Sequence, residues 1–247
     1  NNSVHPHVKD PAGRQAFANY ASALAERYKG RKIYWEIWNE PEQPTYWLGA
    51  PDPAAYARLL HAAYQGAKAG DENAVVLFAP TGYIQFDYVE QVLQRLGGAA
   101  AFDAVAVHPY RAAAGPLEPS ENVIPGEKTT LKDELLLLTD LFERYGYGRP
   151  DLYITEIGWG TDHEWEHPDL VTLKQQARYV SETIGIVKAD PALRHVRAVT
   201  FFIERDSDAM ETTDAMEEKP FSYYGLFYRN GEPKPAASAF RRAVIGD

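Results

Sequence analysis

What most constrains this chain is a repeated alternation, in which short apolar runs take turns with longer stretches whose apolar residues recur at helical spacing. From Asp10-Pro11 onward, Phe17, Tyr20, Ala21, Leu24 and Tyr28 share one helical face until Gly30. A strand over 32–38 follows. Asp52-Pro53 repeats the start signal, a capping carboxylate before a proline whose missing N–H costs the first turn nothing. Tyr56, Leu59, Leu60, Ala63, Tyr64 and Ala67 then line one face. The unit recurs: a strand from Ala74 to Ala79, a helix capped by Asp87 and ending at Leu96, and a strand in "FDAVAVHPY" ending at His108. A helix from Thr130 to Tyr145, a strand in "DLYITEIGW" and a helix from Asp169 to Lys188 come next, then a strand in "VRAVTFFIERD" and a closing helix from Pro235 to Ile245. The reading is five strands and six helices in one domain, 1–247, with no linker or short repeat to divide it.

Strands that are apolar along their whole length belong to a parallel sheet covered by helices. An open doubly wound sheet built around a nucleotide would carry a glycine-rich phosphate loop after its first strand, and none occurs. Polar and aromatic residues instead crowd at the C-terminal ends of four strands, where a (β/α)8 TIM barrel builds its active site. The expected fold class is therefore α/β, a TIM barrel. A net charge of −10 over 247 residues argues against nucleic acid or an anionic membrane surface as partner and favours a neutral substrate. No run of about 18 apolar residues predicts a membrane span, and the absence of cysteine removes disulfides and thiolate metal sites.

Within "KIYWEIWNEPEQPTYW", Glu40 lies at a strand's C-terminal end and Pro41, with no N–H for a ladder, turns the chain into a loop. Glu156 occupies the same place on a later strand. Two carboxylates on separate strand ends of one barrel are the equipment of glycoside hydrolysis, one moving a proton while the other attacks or activates water. That chemistry needs neither metal nor cofactor. "TDHEWEHPD", 161–169, mixes histidines with acids but lacks fixed ligand spacing and reads as a solvated loop. Trp35 and Trp38 read as packing residues within the strand. Trp47 and Trp159 are read as loop residues whose rings stack on a sugar.

"WEIWNEP" (35–41), "HPY" (108–110), "ITEIGW" (154–159) and "GEPKPA" (231–236) together resemble the clan A retaining glycoside hydrolases. The nearest likeness is to the β-xylosidase and α-L-iduronidase family and its relatives that cleave bacterial exopolysaccharides, over roughly Asp10 to Ile245. The resemblance implies a retaining mechanism on an oligo- or polysaccharide, with Glu40 as general acid/base and Glu156 as nucleophile. It further implies that Asn39 contacts the sugar's 2-hydroxyl, that His108 and Tyr110 floor the site with Tyr110 near the nucleophile, and that Phe201-Phe202 stand where the clan presents a tryptophan under the sugar. The sequence does not fix the compartment; a polysaccharide substrate would favour a secreted or periplasmic setting.

In that clan the acid/base follows the fourth strand, so three strands, roughly 80 to 110 residues at the usual barrel size, should precede Asp10. The expectation is that the first strands come from an upstream segment or a second polypeptide, and that the 247-residue chain alone is inactive. The alternative reading is a carbohydrate-binding pseudoenzyme or an inactive fragment that needs such a partner.

Overall fold

The computed structural model describes residues 8–121, 123–124, 126–161, 167–207 and 222–246. Among them are α1 (Pro11–Arg27), β1 (Tyr34–Glu36), α2 (Pro44–Trp47), α3 (Pro53–Gly70), β2 (Val75–Phe78), α4 (Phe86–Leu96) and β3 (Ala104–Val107). These are followed by α5 (Leu131–Arg144), β4 (Leu152–Ile157), α6 (Leu173–Ala189), a 3-10 turn (Pro191–Leu193), β5 (Val196–Phe201) and α7 (Pro235–Ile245). The strands form one sheet in chain order, β1-β2-β3-β4-β5. β1 runs parallel to β2 with Tyr34, Trp35 and Glu36 opposite Val75, Val76 and Leu77, and β2 runs parallel to β3. Sequential order with a helix after each strand is the pattern of a (β/α)8 barrel over five of its units. β1 and β5 are the end strands, each with one strand neighbour among the described residues.

The start signals read from sequence hold at α1 and α3, where Asp10 and Asp52 accept from the N–H of Gly13 and Ala55 and proline fills the first turn. Two others move. Asp87 falls within the first turn of α4: the cap position is Gln85, two residues earlier, whose N–H is taken by Thr81 Oγ1. α6 begins at Leu173 rather than near Asp169, set by a reciprocal capping box between Thr172 and Gln175. α2, four residues beginning with Pro44, is too short to leave a periodic trace. β1 is shorter than expected: Ile37 still donates to Leu77 O, but Trp38 turns left-handed at φ 76° and ends the extended run.

The chain divides into two compact units, Asn1–Val107 with Leu138–Tyr153, and His108–Leu137 with Ile154–Asp247. In the first, α3 crosses α1 so closely that a Cβ at Gly66 or Gly70 would strike the backbone carbonyls of Ala18 or Ser22. Under β2 and β3, the rings of Phe78, Phe102, Phe142 and Tyr147 meet edge to face or tilted. Tyr56 of α3, fully buried, donates its hydroxyl to Ile37 O at 3.2 Å and accepts from Ala79 N–H at 2.7 Å. One phenol thus satisfies the backbone at the ends of two neighbouring strands.

In the second unit α6 and α7 close over Val180, Ile184 and Ala236, with Phe201, Leu226 and Phe240 packed alongside. Two buried cations organise its loops. Arg111 pairs with Glu134, both wholly buried, and its remaining N–H groups go to the carbonyls of Gly115, Glu118 and Thr129. Lys234, the lysine of "GEPKPA", donates to Asp206 at 2.7 Å, Thr161 at 2.9 Å and Tyr223 O at 3.0 Å. Each cation meets a carboxylate and loop carbonyls, which is the condition for carrying it inside, although Glu134 keeps one buried oxygen, Oε2, without a hydrogen bond. Among the described residues no helix is long and apolar enough to cross a membrane.

Replacing Tyr56 by Phe keeps the ring and orphans two buried backbone groups. The expected cost is about 1–3 kcal/mol, measured as a lowered urea midpoint with an unchanged slope.

Candidate active site

In the first unit, β1 gives way to a turn in which Trp38 and Glu40 both have positive φ, 76° and 42°. Neither conformation is one an L-residue prefers, so contacts elsewhere must hold the turn. Gln43 N–H donates to Glu40 O at 2.9 Å, Trp38 Nε1 donates to Tyr46 O, and Pro41 is buried. Asn39 lies half-buried between the two left-handed residues. The Glu40 carboxyl lies against Gly82, just beyond β2: a Cβ on that glycine would be 3.3 Å from Glu40 Oε1.

Glu42 converges on the same glycine. Its Oε1 accepts the Gly82 N–H at 2.8 Å, while its Oε2 is buried with no hydrogen-bond partner. Burial, helped by the nearby Glu40 charge, outweighs hydrogen bonds from the backbone and from Gln43 and pushes its pKa up to about 7. Nothing in "NEPEQP" distinguishes this acid from a solvated loop residue, and sequence reasoning passed it over.

In the second unit the structure brings His108, Tyr110 and Glu156 together. Tyr110 Oη donates to Glu156 Oε2 at 2.8 Å, and the buried His108 Nε2 stands 3.6 Å from Glu156 Oε1. Glu156 is at the C-terminal end of β4, partly open to solvent, so a floor of buried groups holds a carboxylate that can still be reached. Beside it, the rings of Tyr110, Phe202 and Tyr224 meet edge to face.

Three aromatic residues differ from expectation. Trp47 is wholly buried, packed edge to face on Trp38 and Tyr56, because α2 turns its ring inward. Trp159 is also buried, donating Nε1 to Ala114 O and touching Tyr179. Neither ring has a free face for a sugar. Phe201 points into the helical layer against Phe240, and strand alternation puts its neighbour Phe202 on the Tyr110 side instead. Most of the "TDHEWEHPD" stretch, 162–166, lies outside the described residues.

Neither the protein-family models nor the curated proteins compared with the chain gave a match. Solved structures do share its fold. A family 39 glycoside hydrolase from the gut symbiont Bacteroides cellulosilyticus WH2 is 20% identical with a TM-score of 0.73, over 96% of this chain and 45% of that one. A monomeric β-xylosidase from Caulobacter crescentus CB15 is 19% identical, TM-score 0.63, over 96% and 46%. Xylanase 10B from Thermotoga maritima is 17% identical, TM-score 0.59, over 93% and 65%. The chain thus spans less than half the length of the first two structures and has the strand–helix architecture of glycoside hydrolase barrels along that stretch.

Gly158 links the end of β4 to β5: a methyl there would strike the Phe202 carbonyl and come within 2.9 Å of the Tyr224 ring. Because a backbone atom cannot swing aside, Gly158→Ala is expected to cost about 3 kcal/mol or more. Thermal unfolding measures the loss.

Proposed function

We propose that this chain carries the two catalytic carboxylates of a retaining glycoside hydrolase acting on O-glycosidic bonds of an oligo- or polysaccharide. The observation that carries the reading is the 2.8 Å bond from Tyr110 to Glu156, which fixes one oxygen of a strand-end carboxylate that solvent can still reach. In the first step Glu156 attacks the anomeric carbon as the bond to the leaving oxygen breaks, and Glu40 gives that oxygen its proton. Glu40 then takes a proton from water, the water oxygen bonds to the anomeric carbon, and the ester to Glu156 is released. Direct attack needs the two carboxyl groups about 5–5.5 Å apart in the working enzyme. Asn39 would hold the 2-hydroxyl, and Phe202, in place of Phe201, would offer an apolar wall.

The likeness to a β-xylosidase makes an aryl β-xyloside the first substrate to try, within a panel of aryl glycosides and exopolysaccharides. Strands from outside residues 1–247 would pair with the sides of β1 and β5 that carry no strand among the described residues, complete the sugar pocket and shield Glu40 from water.

With a completed barrel, proton NMR of the first product should show a retained anomer. Glu156→Ala should lower turnover by about four orders of magnitude, and azide should restore it while yielding a glycosyl azide of opposite configuration. An inverted first product, or a fully active Glu156→Ala, overturns the assignment. Residues 1–247 assayed alone should be inactive and regain activity when the first barrel strands are added in trans. Full activity alone would refute the need for them.

A further inference from the structure

Glu42 has no part in the reaction just described, yet it is the acid most closely tied to the Glu40 turn. Its Oε1 takes the Gly82 N–H, joining the turn after β1 to the turn after β2 through a side chain. Both turns are strained: Glu40 and Trp38 on one side, and Tyr83 and Ile84 on the other, at φ 58° and 46°, are left-handed. Backbone preference will not hold such segments in register, so a cross-link between them decides where Glu40 points. Gly82 is the common anchor, bonded to Glu42 and leaving, through its missing side chain, room for the Glu40 carboxyl.

The second oxygen of Glu42 is informative. Oε2 is buried and unpartnered, as is Tyr88 Oη of α4. An ionised carboxylate would leave a charged oxygen without a donor, whereas a protonated carboxyl leaves a single O–H. The other titratable groups whose charge bears on this corner are acids or phenols: Glu40 on the same turn, Tyr56 of α3, itself influenced by Glu36 of β1, and Tyr88, itself influenced by Asp52. Of these, the Glu40 charge directly disfavours a second negative charge at Glu42, and the phenols are held neutral by their own burial.

We propose that Glu42, in its protonated form, is the positioning residue of the candidate acid/base: it clamps the Glu40 turn to Gly82 and gives Glu40 an uncharged neighbour. The clamp rests on the reading of Glu40 as acid/base, but the state of Glu42 does not. Burial pushes its pKa to about 7 from 4.5, so the folded protein keeps a proton that the unfolded chain gives up. Raising the pH from about 4.5 to 7 therefore weakens the fold through this group, and further increase adds nothing.

The test compares wild type, Glu42→Gln and Glu42→Ala. Gln mimics a neutral carboxyl and keeps an acceptor for Gly82. The thermal midpoint of wild type should fall relative to that of Glu42→Gln as pH rises from 4.5 to 7, and the gap should then stay constant. A gap that does not change with pH refutes the protonated state, whether or not the protein turns over any glycoside. On an aryl glycoside the completed enzyme cleaves, Glu42→Ala should lose about tenfold to a hundredfold in kcat with KM little changed. Glu42→Gln should recover most of that loss. Equal kcat for wild type and Glu42→Ala, or Glu42→Gln as impaired as Ala, refutes the clamp. If the clamp fails while Glu156→Ala remains inactive and azide-rescued, the glycosidase reading survives; if Glu156→Ala is active, that reading fails and the thermal comparison still decides the protonation of Glu42.

Discussion

The Tyr56 hydroxyl is the contact on which the Glu40 turn depends. Parallel strands leave unpaired backbone groups where they end, and in a buried sheet those groups need partners other than water. A phenol that donates to Ile37 O and accepts from Ala79 N–H meets both needs and sets the spacing of the chain ends that carry Glu40 and Gly82. Because Tyr56 sits in the first turn of α3, the helix position fixed by Asp52 and Pro53 is passed directly to those two loops. The second unit reaches a similar result with ions. Arg111 and Lys234 spend their donors on loop carbonyls as much as on carboxylates, so the charges serve as multivalent hydrogen-bond hubs.

Much of this was legible in the sequence, for identifiable reasons. Proline after aspartate marks a helix start through a local rule, and a run such as "AVAV" between polar turns can hardly be anything but a buried strand. The strand-end position of Glu40 and Glu156 followed from where those runs stop. What could not be read depends on direction. Trp47 and Trp159 sit among loop-like residues, and only the packing of α2 and of the Ala114 carbonyl shows that their rings face inward. Phe201 and Phe202 are chemically identical neighbours, so their roles hang on strand parity at the point where β5 ends, and one residue of uncertainty exchanges them. Glu42 was invisible for another reason. Its burial arises from tertiary packing around Gly82, forty positions away.

The environment of Lys234 has a practical consequence. An ammonium group enclosed by Asp206, Thr161 and the Tyr223 carbonyl cannot be reached by amine-modifying reagents while those partners hold. Among the described residues most other lysines, such as Lys128, lie at the surface and would be acylated sooner. The rate at which Lys234 becomes labelled therefore clocks the local opening of its own unit, giving a mass-spectrometric stopwatch that needs no engineered label site.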